Sequence, residues 1–261
     1  MIIALVSFNQ KWEDKSTNLL SCETLIRRAK KFQADLVIFP EMTLTGFSMN
    51  VAEIAEEFNE SESVEAFRAL AREYGIGIIV GIVLKKNAKP GNYAVLIDKS
   101  GGIACTYQKI HPFSFAGEND HFEAGREIAR VDFESMNLGL TICYDLRFPE
   151  LYSALGTNSD LIVNIANWPA KRHHHWDVLL RARAIENQIF IVGVNRTGKD
   201  IAGLVFEKSS QIIDPNGENV EPIYSEEEID IFELNKEFTH DFKLDFSTVT
   251  DRNPEFYKSI L

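Results

Sequence analysis

Short runs of apolar residues that are rich in Val and Ile are the feature of this sequence that most restricts its fold. Each run has the length of a β-strand, and together they occupy residues 2–8, 34–40, 76–84, 92–98, 102–109, 137–143, 160–167, 188–195, 209–215 and 228–234. In IGIIVGIVL at 76–84 and in similar runs, apolar residues follow one another instead of alternating with polar ones. Strands of this kind are covered on both faces. The runs therefore predict sheets that lie between other layers of structure.

Segments in which apolar residues have helical spacing lie between several of these strands. They predict helices at about 16–32, 62–74, 148–156 and 174–187. The first of them begins at Ser16 and Thr17, which are suitable residues for an N-terminal cap. The strands at 76–84, 92–98 and 102–109 follow one another without a helix, because only the turn-forming segments KKNAKPG and KSGG join them. The sequence thus predicts an α/β fold in which two mixed sheets pack together and helices lie outside them.

The chain has no linker, internal repeat or low-complexity segment along its 261 residues. A chain of this length suits one large domain, so we expect a single domain over residues 1–261. The segment from about residue 235 onwards mixes aromatic and charged residues. We expect this C-terminal tail either to wrap the domain or to contact a second subunit.

The charge balance indicates which kind of partner the protein binds. Its formal net charge is −12 and its basic residues do not cluster, which is unfavourable for binding nucleic acid. A small molecule is therefore the expected partner. No apolar run approaches the roughly 20 residues that cross a bilayer, so we expect no membrane partner. The opening MIIALVSFNQKWED has no basic region before its apolar stretch, and we interpret it as a strand in a cytoplasmic protein instead of a signal peptide.

The three cysteines, Cys22, Cys105 and Cys143, do not have the pattern of a disulfide framework or a zinc site. Their number is odd and no pair has CxxC spacing. The segment KRHHHW at 171–176 also lacks the two His four residues apart, with an intervening Glu, that a helical zinc site needs. We expect no metal and no cofactor. Cys22 and Cys105 are predicted to be inert, buried thiols.

Three of the predicted strands end on chemically reactive side chains, namely Glu41, Lys109 and Cys143. Ligands of sheet-based α/β proteins sit at the carboxyl ends of strands, where loops vary without disturbing the core. Taken singly, each residue also has an ordinary structural interpretation. Cys143 would fill the end of a buried strand, and the two charged side chains would be solvated. Which interpretation applies depends on whether the three strand ends are neighbours.

If the three side chains meet, they supply the groups that thiol-based amide hydrolysis needs. A free thiol is mostly protonated at neutral pH, so Cys143 needs a base, and Glu41 can serve as one. The ammonium of Lys109 and the backbone N–H of Tyr144 can stabilise the negative oxygen of a tetrahedral intermediate. Glu41 can then protonate the leaving ammonia or amine and activate the water that cleaves the thioester. This chemistry requires no metal.

Four sequence blocks resemble the nitrilase superfamily of carbon–nitrogen hydrolases. They are VIFPEMTLTGF (37–47), YQKIHPF (107–113), GLTICYDLRFPELY (139–152) and NWPAKRHHHWDVLLRARAIENQIFIVGVNRTG (167–198). The blocks are in the family's order and span nearly the whole chain. The resemblance implies an α-β-β-α sandwich that dimerises through helices near the nucleophile into an αββααββα assembly. It also implies a catalytic triad at Glu41, Lys109 and Cys143. A second glutamate, which orients the lysine and the substrate, would fall on Glu118, although Asp120 and Glu123 lie in the same loop.

Within this superfamily, the combination of CYDLRFP, ANWPAKR, HWDVLLRARAIENQ and GVNRTGKD is most similar to bacterial omega-amidases. The resemblance implies hydrolysis of 2-oxoglutaramate or 2-oxosuccinamate to a dicarboxylate and ammonia. The alternatives within the superfamily are a deaminated-glutathione amidase and an N-carbamoyl amino acid or amine hydrolase. A more distant alternative is a non-catalytic relative that only binds a metabolite, but such a protein would lack a member of the triad, and all three are present here.

An omega-amidase must hold a carboxylate away from the amide that it hydrolyses. A guanidinium or ammonium group is suited to this, and the candidates are Arg147, Lys171, Arg172 and Arg196. For Arg147 the alternative is an ion pair that supports the nucleophile turn. The methylene chain of the substrate requires an apolar wall, for which the candidates are Phe47, Phe113, Tyr144 and Trp168.

The helix predicted at 174–187 carries charged residues at spacings of three to five. Arg181, Arg183 and Glu186 are predicted to form ion pairs along it. The resemblance implies that this helix lies near the site and near a subunit contact.

Overall fold

A computed structural model of the chain describes residues 1–260. The strands in this range are β1 (Ile2–Val6), β2 (Leu36–Ile38), β3 (Glu56–Glu57), β4 (Gly77–Lys85), β5 (Pro90–Ile97), β6 (Ile103–Gln108), β7 (Ala129–Phe133), β8 (Met136–Ile142), β9 (Leu161–Ala166), β10 (Phe190–Asn195), β11 (Gly198–Lys199), β12 (Val205–Phe206), β13 (Gln211–Ile213), β14 (Tyr224–Ser225) and β15 (Ile229–Glu233). The helices are α1 (Lys15–Lys31), α2 (Val51–Ile54), α3 (Glu62–Tyr74), α4 (Glu118–His121), α5 (Pro149–Gly156), α6 (His173–Asn187), α7 (Lys236–Asp245) and α8 (Pro254–Ile260). Short 3₁₀ helices occupy Ser114–Ala116, Cys143–Arg147, Ala170–Arg172 and Val249–Asp251.

The strands form two large mixed sheets. The first has eight strands, in the order β14-β15-β1-β2-β4-β5-β6, with β3 paired to β4. In it β1, β2 and β4 are parallel, whereas β15, β5 and β6 run antiparallel to their neighbours. The second has five strands in the order β13-β10-β9-β8-β7, with β8, β9 and β10 parallel. A short hairpin of β11 and β12 lies apart from both sheets.

The two sheets pack face to face, and helices cover their outer faces. One apolar cluster contains side chains of β1, β2 and β4 together with side chains of β8, β9 and β10, so it fills the space between the sheets. A second cluster joins the first sheet to α1 and α3. Helices α5 and α6 cover the second sheet. The layers are therefore α-β-β-α, as the sequence predicts, and the uninterrupted apolar strands are those with a covering layer on each face.

All the strands and helices that the sequence predicts are present, with shifts at their ends. The largest shifts affect the strands predicted at 34–40 and 209–215, which are only Leu36–Ile38 and Gln211–Ile213. The prediction omitted β7, whose sequence ARVDF alternates buried and more exposed positions and contains two charged residues. It also omitted the helices of the tail.

The C-terminal tail lies against α5 and α6. Arg252 donates hydrogen bonds to the carbonyl oxygens of Ser153 and Glu186. Gln188, at the end of α6, donates to the carbonyl of Phe246 at 2.6 Å. The tail therefore contacts the same helices that flank the nucleophile turn, and several of its apolar side chains remain exposed, among them Leu244, Phe246 and Ile260.

Three expectations about individual residues are wrong. Helix α1 is capped by Asp14, whose carboxylate accepts a hydrogen bond from the backbone N of Thr17 at 3.1 Å, whereas Ser16 only donates to that carboxylate. Cys105 is only half-buried, although Cys22 is fully buried. On α6, Arg183 pairs with Glu186 as predicted.

The third error concerns Arg181 on the same helix. It donates to the carbonyl of Gly217 and, at 3.0 Å, to the side chain of Asn219. The loop after β13 therefore supplies its partners instead of an acidic residue of the helix.

Within residues 1–260, no helix is long and apolar enough to cross a membrane.

Candidate active site

Strand ends from both sheets meet at one edge of the sandwich. Glu41 follows β2, and Lys109 directly follows β6, in the first sheet. Cys143 directly follows β8, and Asn167 directly follows β9, in the second. The sandwich thus brings together the three reactive side chains that the sequence places at strand ends, at the edge where α/β folds bind ligands.

Glu41, Lys109 and Glu118 form a buried cluster of two carboxylates and one ammonium. Lys109 Nζ lies 2.8 Å from Glu41 Oε1, and 3.1 and 2.9 Å from Glu118 Oε1 and Oε2. All three side chains are almost completely buried. Burial alone would lower the pKa of Lys109, but the charges of Glu118 and Glu41 outweigh it and raise that pKa. The lysine is therefore a permanent cation at any pH at which the protein would work.

The acidic loop predicted to carry the second glutamate contributes only Glu118. The backbone N of Phe113 donates to Glu118 Oε2 at 2.6 Å, which fixes this carboxylate beside the lysine. Asp120 is exposed, and Glu123 accepts from Asn87 at 3.2 Å on the far side of the loop.

A sharp turn after β8 presents Cys143. Its φ of 47° lies in the left-handed region that only a minority of non-glycine residues adopt, and the chain continues as a 3₁₀ helix. Asp145, two residues later, accepts a hydrogen bond from the backbone N of Ile142 at 2.9 Å. The same carboxylate accepts from the Tyr107 hydroxyl at 2.7 Å and from the His111 ring Nδ1 at 2.8 Å. Asp145 therefore ties the nucleophile turn to the segment that carries Lys109.

The thiol of Cys143 borders a pocket. The residue is 9% exposed, and Sγ lies 4.0 Å from the carbonyl oxygen of Asn167. Burial raises the pKa of the Cys143 thiol, and the negative charge of Glu41 raises it further, while the positive charge of Lys109 opposes both. At neutral pH the group is therefore a thiol.

Three buried amides, those of Gln10, Asn92 and Asn167, surround Glu41. Gln10 Nε2 and Asn167 Nδ2 donate to its backbone carbonyl at 2.9 and 2.6 Å, and the Asn167 backbone N donates to Oε2 at 2.9 Å. Asn92 Nδ2 donates to Oε1 at 2.8 Å. The sequence analysis did not identify these amides or Asp145. Asn167 is the last residue of the strand predicted at 160–167, a signal that could have found it, whereas Gln10 and Asn92 have no such signal.

The pocket beside Cys143 has a volume of about 630 Å³ when the open space at its mouth is included. All four aromatic side chains proposed as an apolar wall border it, and Leu204 and Phe206 of the β11–β12 hairpin complete it. The ring centroids of Phe113 and Tyr144 are 4.8 Å apart. Such a space suits a small molecule that has an apolar middle.

Two guanidinium groups, those of Arg147 and Arg172, face this pocket without a carboxylate partner among residues 1–260. Arg147 lies 4.8 Å from the ring centroid of Trp168 and 3.3 Å from His175 Nδ1. Arg172 lies over Phe113 at 5.4 Å. Burial lowers the pKa of Arg172, and the positive charge of Arg147 lowers it further. An anion placed between the two groups would relieve this repulsion.

For Arg147 the alternative expectation was an ion pair that supports the turn at Cys143. Arg147 forms no such ion pair within residues 1–260. Arg183 of α6 supports that turn, since its Nε and Nη2 donate to the carbonyl of Leu146 at 3.1 and 2.9 Å.

The other two candidate cations are less suited to holding a carboxylate. Lys171 is exposed and does not border the pocket. Arg196 borders it, but is buried and donates to the Asn9 side chain and the Gln10 carbonyl at 3.2 and 3.3 Å. Burial lowers the pKa of Arg196 to about 10, against the opposing charge of Asp200.

The histidine run has local partners. His173 Nε2 lies 3.0 Å from Asp177 one helical turn later. Among the described residues, no three His, Cys, Asp or Glu side chains are grouped so that they could hold a metal ion.

A family model described as carbon–nitrogen hydrolase matches residues 2–242. This range contains both large sheets and the whole site.

The chain is also similar to curated amidases. It is 37% identical over 207 residues to omega-amidase YafV of Yersinia enterocolitica, in an alignment that covers 79% of this chain and 78% of the relative. It is 33% identical over 219 residues to 2-oxoglutaramate amidase of Bacillus subtilis, with 82% and 83% covered.

Among solved structures, a CN-hydrolase superfamily protein of Xanthomonas campestris that carries an arsenic adduct in its active site has a TM-score of 0.89 to this chain. Its sequence is 30% identical, and the superposition covers 97% of each chain.

Proposed function

The chain belongs to the carbon–nitrogen hydrolase family, and from this premise we propose that it is an omega-amidase that hydrolyses 2-oxoglutaramate or 2-oxosuccinamate to a dicarboxylate and ammonia. Membership of the family makes it a hydrolase that acts on amides. The observation that carries the narrower proposal is the pair Arg147 and Arg172. These two guanidinium groups have no carboxylate partner among residues 1–260 and lie in a pocket that Cys143 also borders. The amidase names of the two relatives support the same substrate class.

In the proposed first half-reaction, Cys143 Sγ attacks the carbonyl carbon of the terminal amide while Glu41 takes the thiol proton. The C=O electron pair moves to oxygen, and the resulting negative charge is stabilised by Lys109 and the backbone N–H of Tyr144. The intermediate then collapses, the C–N bond breaks, and Glu41 returns its proton to the leaving nitrogen as ammonia departs. The acyl group remains on sulfur as a thioester.

In the second half-reaction, Glu41 removes a proton from water, and the hydroxide attacks the thioester carbonyl. The C–S bond breaks, the sulfur recovers the proton, and the dicarboxylate leaves. Glu41 suits this exchange because its Oε1 is held by Lys109 and Asn92, and its Oε2 by one backbone N–H. Glu118 also holds Lys109 in place, since its Oε2 lies 2.9 Å from Nζ.

The proposed substrate lies with its amide at Cys143 and its carboxylate between Arg147 and Arg172. Planar guanidinium groups bind carboxylates through paired hydrogen bonds. The aromatic wall that includes Phe113 and Trp168 would contact the methylene groups between the two ends. Tyr144 would contribute its backbone N–H to the amide end and its ring to the wall.

We further propose that the protein is a cytoplasmic homodimer that pairs through the layer of α5 and α6. Helix α6 exposes Val178 and Ile185 on one face, and the neighbouring tail exposes Phe246. The cysteines within residues 1–260 are free, which suits a reducing compartment.

Ammonia release across a panel of amides tests the proposed function. The panel contains 2-oxoglutaramate, 2-oxosuccinamate, deaminated glutathione, an N-carbamoyl amino acid, a nitrile and pentanamide, a neutral amide of similar length. The two keto-acid amides should have a kcat/KM at least about tenfold above that of pentanamide, because a charged hydrogen-bonded pair contributes about 1.5–3 kcal/mol.

Cys143→Ala should abolish turnover, whereas Cys22→Ala, which removes a fully buried thiol on α1, should leave it intact. A preference for deaminated glutathione or the carbamoyl compound would replace the proposed substrate. Turnover that persists without Cys143 would refute the thiol mechanism.

A further inference from the structure

The two carboxylates of the site are bridged by a second group besides Lys109. Asn92 Nδ2 lies 2.8 Å from Glu41 Oε1 and 3.0 Å from Glu118 Oε1. Lys109 Nζ lies 2.8 and 3.1 Å from the same two oxygens. Two carboxylate oxygens and two nitrogen donors therefore alternate around a closed ring.

The orientation of the Asn92 amide follows from this ring. Asn92 is 1% exposed, and its Oδ1 accepts no hydrogen bond within the described part of the chain. An unpaired buried oxygen is unfavourable. The opposite orientation would be worse, because it would place that oxygen against two negatively charged oxygens. The amide thus turns both of its N–H groups to the carboxylates and leaves its acceptor without a partner.

We propose that Asn92 is a positioning residue that holds Glu41 and Glu118 ionised and in register, so that Glu41 accepts the proton of Cys143. The inference rests on the proposed thiol mechanism. It adds one more side chain to that mechanism, and this side chain does not touch the substrate. Two carboxylates that share one ammonium carry an excess of one negative charge in a buried site. The amide donors offset that excess without supplying a proton of their own.

The groups that act on Glu41 come from six separate places along the chain. Its titratable neighbours are Lys109, Glu118 and Cys143, and its neutral hydrogen-bond partners are Gln10, Asn92 and Asn167. Asn92 is the only one of these neutral side chains that donates to both carboxylates among residues 1–260.

Asn92→Ala removes both donors. Because a carboxylate that loses a hydrogen-bond donor takes up a proton at a higher pH, the acid limb of kcat/KM should move up by about one pH unit. We expect kcat at neutral pH to fall about ten- to a hundredfold, the loss expected for a hydrogen bond to a charged group. KM should change little, since Asn92 does not border the substrate pocket.

The second measurement does not depend on the substrate. The rate at which iodoacetamide alkylates Cys143 is followed against pH, and in Asn92→Ala its acid limb should move by the same amount. If the amide panel shows no turnover with any compound, the proposed function fails. In that case, the pH dependence of Cys143 alkylation still tests the positioning role of Asn92.

Asn164→Ala is the matched control. Asn164 on β9 is also buried, also has an Oδ1 without a partner among the described residues, and also donates two hydrogen bonds, but to Thr141 and Tyr152 at 3.0 and 3.1 Å. It should lose similar stability and keep the wild-type pH limbs of both assays. Asn92→Ser, whose hydroxyl donates to only one carboxylate, should shift the limbs by less than Asn92→Ala and serves if the alanine variant does not fold.

Unmoved acid limbs in a folded Asn92 variant would overturn the proposal, and so would equal shifts in the Asn92 and Asn164 variants. A loss confined to KM would also overturn it, because it would make Asn92 a binding residue.

Discussion

At the scale of single residues, the site is organised around the buried charge of Lys109. The ammonium contacts two carboxylates, which raise its pKa. This stabilisation is fully present below the pKa of lysine in an unfolded chain, about 10.4. It is lost only as the pH rises through the higher pKa of the folded protein. Loss of this cation therefore does not limit the protein across the neutral range.

Lys109→Met removes that cation but keeps the bulk of the side chain. At pH 8 the free energy of unfolding should fall by about 3–5 kcal/mol, because two buried carboxylates lose their partner. At pH 5 the difference from wild type should be smaller, since protonation of either carboxyl group removes an unpaired charge. Urea unfolding at both pH values measures this.

Lys85→Met is the control for that measurement. Lys85 is half-exposed and lies 3.8 Å from Glu57, so its removal should cost less than about 1 kcal/mol at either pH. If Lys109→Met were no worse than this control, the cluster would not depend on its cation.

Arg172→Ala tests the carboxylate end of the pocket. It should raise KM for 2-oxoglutaramate about tenfold or more and leave KM for pentanamide nearly unchanged, since only the first compound has a carboxylate to bind. The adjacent Lys171→Ala, which alters an exposed side chain outside the pocket, should change neither value. Equal effects of Arg172→Ala on both compounds would make the arginine structural.

At the scale of elements, the position of Glu41 depends on how closely β4 approaches the turn after β2. Gly81 on β4 has no room for a side chain, because a Cβ there would lie against the backbone N of Met42 and 2.8 Å from the Cα of Glu41. The backbone N of Gly81 also donates a hydrogen bond to Thr43 Oγ1 at 2.9 Å, which holds β4 against the turn. The close approach aims Glu41 into the site.

Gly81→Ala should therefore lower kcat more than its stability loss of about 1–3 kcal/mol explains. Thermal unfolding and steady-state kinetics measure the two effects separately. Gly139→Ala on β8 is the comparison, because its Cβ would meet only side-chain atoms, with Ile162 Cγ1 at 3.0 Å. It should destabilise the protein and spare kcat. Unchanged kcat in folded Gly81→Ala would show that the turn tolerates displacement.

The parts of the site that could be predicted are those at the ends of apolar strands. Glu41, Lys109 and Cys143 stand out because each lies at the end of a predicted strand or directly after it. Asn92 does not stand out, since it lies inside a strand. It faces Lys109 only through the antiparallel pairing of β5 with β6, in which the Lys109 backbone N donates to the Asn92 carbonyl at 2.8 Å. Pairing register of this kind is not visible in a single sequence.

The same reason explains the elements that were missed. Strand β7 has a charged, half-exposed sequence that resembles a loop, and its pairing with the edge of β8 makes it a strand. The proposed binding site for the substrate carboxylate was partly predictable, since an arginine was expected there. Only the packing of Arg183 against Leu146 shows that Arg147 is left free to face the pocket.

At the scale of the whole molecule, the α5–α6 layer carries apolar side chains that the tail does not cover. Val178 and Ile185 are seven residues apart, so they lie on one face of α6, and they are 48% and 52% exposed. A second copy of the same face would bury them symmetrically.

Val178→Asp combined with Ile185→Asp should convert the proposed dimer into a monomer of the chain mass, 29.6 kDa, in sedimentation equilibrium. A buried, unpaired carboxylate at each position opposes association. Leu20→Asp alters a side chain of α1 that is 66% exposed in the opposite helical layer, and it should leave the dimer intact. A dimer that survives the double substitution would place the contact elsewhere.

Asp145 joins a turn of one sheet to Tyr107 and His111 of the other. The site is therefore divided between two sheets, and the relative position of its two parts depends on the apolar cluster that packs between those sheets. Heating should therefore abolish activity at a temperature at which the spectroscopic signal of the folded backbone is unchanged. A small displacement of one sheet against the other would separate Cys143 from Glu41 before either sheet unfolds.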